Sequence, residues 1–238
     1  MEIELVLVDF DDTLVATAGR FSDARRRLFA LLADHGFDAG AVERLHHDEI
    51  DPELRRRHGF GPHRLEEAFG ETYRRACGLA GTLVDDTLLA RCGALGRQVI
   101  GPPAPIDGAI GALARLAAAH PTVVYTQSAR ADYQIECVRQ AGIIDIIGHE
   151  RVHVCAEKTT DAFRVTIDRY GVADARGAWM IGNSIRSDIN PALETGAHAI
   201  LVEMDEPWAF DMVEPVSAEF ARVGSFAEAV SVLVHDDT

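Results

Sequence analysis

The chain has 238 residues, 47% of them apolar and 26% charged, with a formal net charge of −15. That length suffices for one α/β domain with a small inserted domain, and for a core that needs neither disulfides nor a structural metal. So acidic a surface repels nucleic acid and anionic membranes, which excludes both as expected partners. Cys77, Cys92, Cys137 and Cys155 are scattered and form no Cys-x-x-Cys pair, the pattern of idle thiols in a reducing compartment rather than of a zinc site or disulfide framework. No apolar run is long enough to span a bilayer and the start, Met1-Glu2-Ile3-Glu4, carries no basic leader, so a cytoplasmic protein is expected.

In chain order, the first element is Leu5-Val6-Leu7-Val8, an unalternating run suited to a strand buried on both faces. Residues 15 to about 105 follow a helical rhythm instead. Leu28, Leu31 and Leu32 are spaced for one face and Phe69, Tyr73 and Cys77 for another, with Gly36, Gly40, Gly59, Gly61-Pro62 and Gly78 as punctuation. Asp85 or Asp86 is expected to cap a helix. His46 and His47 are expected on the surface, because consecutive helical residues point to different faces, and the runs Arg25-Arg26-Arg27 and Arg55-Arg56-Arg57 are expected to be solvated. Gly101-Pro102-Pro103-Ala104-Pro105 reads as a stiff return linker.

After it, the runs Thr122 to Thr126, Ile143 to Ile147, Ala178 to Ile181 and Ala199 to Glu203 are expected as further buried strands. Helices alternate with them: one capped by Asp107 and stopped at His120-Pro121, then 130–141, 160–170, and 187–196. A last helix is opened by the capping box Ser225-Phe226-Ala227-Glu228. This alternation predicts an α/β fold with a doubly wound parallel sheet. Residues 1–14 and 106–238 form that core, and residues 15–105 are a helical domain inserted after the first strand.

Ligands in such sheets bind at the carboxyl ends of the strands. Asp9 and Asp11 stand there, two carboxylates that repel unless a cation intervenes or one keeps a proton. On that pair alone, turn capping and chemistry are equal readings. Thr126 and Gln127 end another expected strand, where a hydroxyl and backbone N–H groups can hold phosphate oxygens. Lys158 precedes a helix opened by Thr159 or Thr160. The run Gly182-Asn183-Ser184-Ile185-Arg186-Ser187-Asp188 places a glycine at a strand end and a carboxylate in the following turn. Trp208 and Phe210 can line the rim of the crevice or simply pack.

The ordered set of a strand with Asp-x-Asp-x-Thr, a strand with Thr, a Lys, and a strand with Gly-x-Ser-x-x-x-Asp resembles the haloacid dehalogenase-like (HAD) hydrolase superfamily, across residues 5–188 and beyond. The helical insertion resembles that family's C1-type cap, which selects the substrate. The resemblance implies a Rossmann-like core and a magnesium-dependent phosphatase acting on a small phosphorylated metabolite. It implies Asp9 as nucleophile, taking the phosphoryl group as an aspartyl-phosphate, and Asp11 as acid and then base. Thr126, Gln127 and Lys158 would bind phosphate. Mg²⁺ would be held by Asp9, by the backbone carbonyl of Asp11, and by Asp188 or Asn183.

Asn183 departs from the pattern, which often has aspartate there; Asp188 is the favoured acidic contributor. Carbon–halogen cleavage is disfavoured because those members lack the second aspartate. Phosphonate cleavage is disfavoured because no lysine lies between residues 15 and 105. A phosphosugar mutase and a non-catalytic phosphate-binding member stay open as alternatives. The substrate, the cap residues that select it and the oligomeric state are not legible.

Overall fold

The computed structural model describes residues 2–205, 208, 211 and 213–234; Phe210 lies outside them. The first apolar run forms β1 (Leu5–Val8), followed by the two-residue β2 (Val15–Ala16). Side chains alternate across β1: Val6 and Val8 join one hydrophobic cluster, Leu5 and Leu7 another. A strand whose successive side chains enter two cores has no polar face, which is why its sequence does not alternate.

The chain divides into two compact units, residues 1–17 with 102–238, and residues 18–101. The second unit is helical: α1 (Ala18–Asp34), α2 (Ala39–Arg44), α3 (Asp51–His58), α4 (Arg64–Ala80) and α5 (Asp86–Arg97), with a π-type turn, Leu45–Ile50, joining α2 to α3. Leu28 and Leu32 of α1 and Phe69, Tyr73 and Cys77 of α4 share its core. Asp85 caps α5 by accepting the Leu88 N–H at 2.8 Å. Gly96 of α5 lies so close to the Leu65 backbone that a β-carbon there would stand 2.5 Å from its carbonyl oxygen; glycine is what allows α4 and α5 to approach.

Two expectations fail in this unit. Arg25 is half-buried, its Nε enclosed, while Arg26 and Arg27 are solvated as expected. His46 is fully buried, because the π-type turn rotates it inward between Phe29 and Phe69, while His47 stays exposed. Its Nδ1 lies 2.9 Å from Thr72 Oγ1, whose proton goes to the Ala68 carbonyl, so Nδ1 is the donor. Burial lowers the His46 pKa to about 3, partly offset by Asp51. Asp51 and Arg64 form a buried ion pair at 2.9 Å.

In the first unit the remaining elements are β3 (Ala104–Pro105), α6 (Ala109–Ala119), β4 (Thr122–Gln127), α7 (Ala131–Gln140), α8 (Ile144–Ile147), β5 (Val152–Cys155), α9 (Thr160–Arg169), β6 (Ala178–Gly182), α10 (Asn190–Thr195), β7 (His198–Val202), β8 (Ala221–Val223) and α11 (Phe226–Leu233). The six-stranded sheet has the order β5-β4-β1-β6-β7-β8, and every pairing in it is parallel. Side chains of α6, α7 and α11 pack on one face, and those of α9 and α10 on the other. This is a doubly wound α/β fold of Rossmann-like topology. β2 and β3 form a separate antiparallel ribbon, so part of the proline-rich linker is paired.

Three expectations are corrected here. Residues 143–147 are not a strand: Ile144–Ile147 is a short helix, with Ile143 and Ile147 buried four residues apart on its inner face. The strand is β5, half-exposed at the sheet edge, where a histidine between valines is tolerated. The N-cap of α6 is Gly108, in a left-handed conformation, not Asp107. Ser225 does cap α11, but the Glu228 carboxylate bonds the Gly224 N–H rather than that of Ser225. Among the described residues no helix is long and apolar enough to cross a membrane.

Candidate active site

β1 is central, with β4 and β6 on either side, and Val8 pairs with Val124 and Ile181. The carboxyl ends of the three strands therefore lie level, where connections leave to opposite faces of the sheet. Asp9 follows β1, Thr126 and Gln127 end β4, and Gly182 ends β6.

The loop after β1 is tightly built. The Asp9 N–H still bonds the Ile181 carbonyl at 2.9 Å, and Phe10 is fully buried, its carbonyl accepting from the N–H groups of Leu14 and Val15. Asp12 adopts φ 61°, a left-handed conformation that costs a non-glycine residue energy. Its carboxylate accepts the Thr17 N–H at 2.8 Å, a local bond that offsets the cost.

Asp9 and Lys158 are both about 95% buried. Asp9 Oδ1 accepts from Lys158 Nζ, which also donates to Asp188 Oδ1 at 2.6 Å. The ammonium stands 5.3 Å from the centre of the Tyr125 ring, and the Lys158 backbone N–H donates to Gln127 Oε1 at 2.7 Å. Gln127 thus spends its side chain on positioning the lysine. Lys158 is the chain's single lysine; its other long cationic side chains are all arginine. A compact ammonium fits between two carboxylates where a planar guanidinium does not.

Asp188 has both oxygens engaged, the second accepting the Ser184 N–H at 3.0 Å. A β-carbon on Gly182 would collide with that carboxylate, so the glycine is the space Asp188 occupies. Asp188 faces the lysine, and the fourth-motif side chain beside Asp9 Oδ2 and the Asp11 carbonyl is Asn183. Thr13 Oγ1 makes long contacts of 3.4 Å to Asp9 Oδ2 and Asn183 Oδ1. Ser184 Oγ caps the turn of 185–189 and donates to Asp211 at 2.6 Å.

Asp11 Oδ1 accepts from Thr17 Oγ1 at 2.7 Å and Oδ2 from Gln134 Nε2 at 2.8 Å. Gln134 Nε2 also lies 2.9 Å from the fully buried Thr126 Oγ1. Gln134 and Thr17 were not singled out in the sequence. A signal for Gln134 was present: it shares the buried stripe of α7 with Cys137, Val138 and Ala141, and a glutamine on an apolar stripe needs polar partners.

Two carboxylates, Asp9 and Asp188, thus flank one ammonium, with a third, Asp11, near Asp9. Burial pushes the Asp9 carboxyl well above its usual range; Lys158 opposes this, and Asp188 and Asp11 add to it. Burial works against the charged form of Lys158, but Asp188 and Asp9 outweigh it and raise its pKa. The excess negative charge favours a further cation. Among the described residues no three His, Cys, Asp or Glu side chains group as a metal site. The oxygens that do converge are Asp9 Oδ2 and the Asp11 carbonyl, and the Asn183 side-chain amide stands beside both, able to turn its nitrogen to these acceptors at 3.1 Å or its oxygen to a cation between them. Such a set suits a hard cation: neighbouring ligands of an octahedral Mg²⁺ at its usual bond length lie about 3 Å apart.

Residues 3–196 match the family described as haloacid dehalogenase-like hydrolase. Among solved structures, the chain is similar to a haloacid dehalogenase-like family hydrolase of Xanthomonas campestris, with 23% identity, 97% of this chain and 90% of that one covered, and a TM-score of 0.79. YfnB of Bacillus subtilis, in a magnesium-bound crystal form, is 17% identical over 98% of this chain and 99% of its own, with a TM-score of 0.63. A 2-haloacid dehalogenase of Pseudomonas syringae pv. tomato is 21% identical over 97% and 98%, with a TM-score of 0.57. At these identities the likeness is one of fold. No curated protein matches the sequence at a significant level.

Proposed function

The chain belongs to the haloacid dehalogenase-like hydrolase family, and from that premise we propose that it is a magnesium-dependent phosphomonoester hydrolase acting on a small phosphorylated metabolite. The observation that carries this reading is the Asp11 carboxylate, two residues beyond Asp9 and bonded by Thr17 and Gln134. A halide leaves without a proton, whereas an alkoxide leaving from phosphorus needs one, and a positioned carboxyl is what supplies it.

In this reading Asp9 Oδ1, beside Lys158, attacks phosphorus and the ester P–O bond breaks, leaving an aspartyl-phosphate. Asp11 gives its proton to the departing oxygen. Asp11 then takes a proton from the water that attacks phosphorus, and phosphate leaves with Asp9 restored. Lys158 and the Thr126 hydroxyl offer donors to the phosphoryl oxygens, and the Lys158 charge works against the burial that raises the Asp9 pKa. Asp9 Oδ2, the Asp11 carbonyl and Asn183 would hold Mg²⁺, which neutralises charge on the transferring group. Substrate selection falls to the helical unit of residues 18–101, acting as a cap.

The test is phosphate release from an aryl phosphate and a panel of phosphomonoesters, with and without Mg²⁺, alongside halide release from 2-haloacids. Magnesium-dependent phosphate release, abolished in D9N with the fold intact, is expected. Halide release without phosphate release, or near wild-type rates in D9N, would overturn the assignment. Retention of the phosphoryl group on a sugar would instead identify a mutase.

A further inference from the structure

The one departure from the family's fourth motif has a physical use. The amide end of Asn183 faces two groups that only accept hydrogen bonds, the Asp9 carboxylate and the Asp11 carbonyl. With its oxygen toward them, Asn183 adds a third acceptor to a site whose single ammonium already faces two carboxylates, and its nitrogen donates to Met204 Sδ at 3.0 Å. Turned by 180°, the amide nitrogen stands 3.1 Å from Asp9 Oδ2 and 3.1 Å from the Asp11 carbonyl and donates to both. The turn moves almost no volume, since amide oxygen and nitrogen are nearly isosteric. It exchanges one weak bond to a thioether for two bonds to oxygen, one of them charged. With a cation among the acceptors the preference reverses, because the oxygen then becomes a ligand and the nitrogen cannot be one.

We propose that Asn183 is a magnesium-dependent latch. Without the metal its nitrogen ties Asp9 to the Asp11 backbone and fills the cation's place; with Mg²⁺ bound it presents Oδ1 as a ligand. The latch rests on the reading of this site as the magnesium site. An aspartate at 183 could not serve, since it has no proton to donate at neutral pH and would put a fourth carboxylate beside Asp9. The chain thereby keeps an ordered metal-free site, at a cost in metal affinity.

Calorimetric Mg²⁺ titration and thermal unfolding of the wild type and N183D, with and without Mg²⁺, test this. N183D is expected to bind Mg²⁺ about tenfold more tightly, to unfold at a lower temperature than the wild type without metal, and to gain more in Tm when metal is added. In the wild type, the Asn183 side-chain amide signals in nitrogen-15 spectra, assigned by their loss in N183D, are expected to exchange slowly with solvent without metal and to shift and exchange faster at saturating Mg²⁺. If Mg²⁺ binds while the amide signals and exchange stay unchanged, or the two proteins share one metal-free Tm and one affinity, the latch is wrong and the magnesium site stands. If neither protein binds Mg²⁺, the metal reading fails and the latch with it.

Discussion

Gln134 Nε2 donates to Asp11 Oδ2 at 2.8 Å and lies 2.9 Å from Thr126 Oγ1, so one buried amide sets the distance between the proposed acid and the proposed phosphate-binding hydroxyl. Q134L keeps the apolar packing of α7 and removes this tie. Phosphate release is expected to fall on the order of 100-fold, the range a positioned acid contributes, mostly in kcat. The limb of the pH–rate profile set by Asp11 is expected to shift as well, which a merely structural residue would not cause. Steady-state kinetics across pH checks both.

Asp188 is almost entirely buried and pairs with Lys158 at 2.6 Å. D188A leaves the lysine with one partner and uncovers the Ser184 N–H, and breaking a buried pair this way costs about 3 kcal/mol or more. G182A is expected to act in the same direction, because its methyl would displace the Asp188 carboxylate. Urea unfolding should show a lower midpoint for both; an unchanged midpoint for D188A would mean the pair contributes nothing.

Acid sensitivity is expected from His46. Its pKa is about 3 in the folded protein against 6.5 ordinarily, so below pH 6.5 the unfolded chain takes up a proton that the folded one refuses. The stability tied to this group is therefore present above pH 6.5 and lost as pH falls toward 3, about 2 kcal/mol of it by pH 5. H46L removes the titration, and Thr72 keeps its own bond to Ala68. Unfolding free energies at pH 7 and pH 5 should differ less in H46L than in the wild type.

G96A places a methyl against the Leu65 carbonyl, which is backbone and cannot rotate away. Overpacking of this kind costs about 1–3 kcal/mol, and a lower thermal midpoint is the expected readout.

Local chemistry decided much of this protein. β1 is legible because four consecutive, partly β-branched apolar residues that never alternate suit a strand buried on both faces, and Asp9 and Asp11 follow it directly. Thr126, Lys158, Gly182 and Asp188 are legible as an ordered set at element ends. The helices of residues 18–97 are legible because the leucine and aromatic spacings match one turn. Asp85 capped its helix as its position implies.

Tertiary structure decided the rest, because packing and partner choice depend on residues far apart in sequence. The five-residue run Ile143 to Ile147 has the composition of a strand, yet the edge position went to Val152–Cys155 and the isoleucines turned into the core as a helix. His46 is buried because a π-type turn changes which face it occupies. Gln134 acquires its role only when β1 and β4 bring Asp11 and Thr126 to it. Which fourth-motif residue meets Asp9 Oδ2 was likewise a matter of tertiary structure: Lys158 claims Asp188 and leaves that place to Asn183.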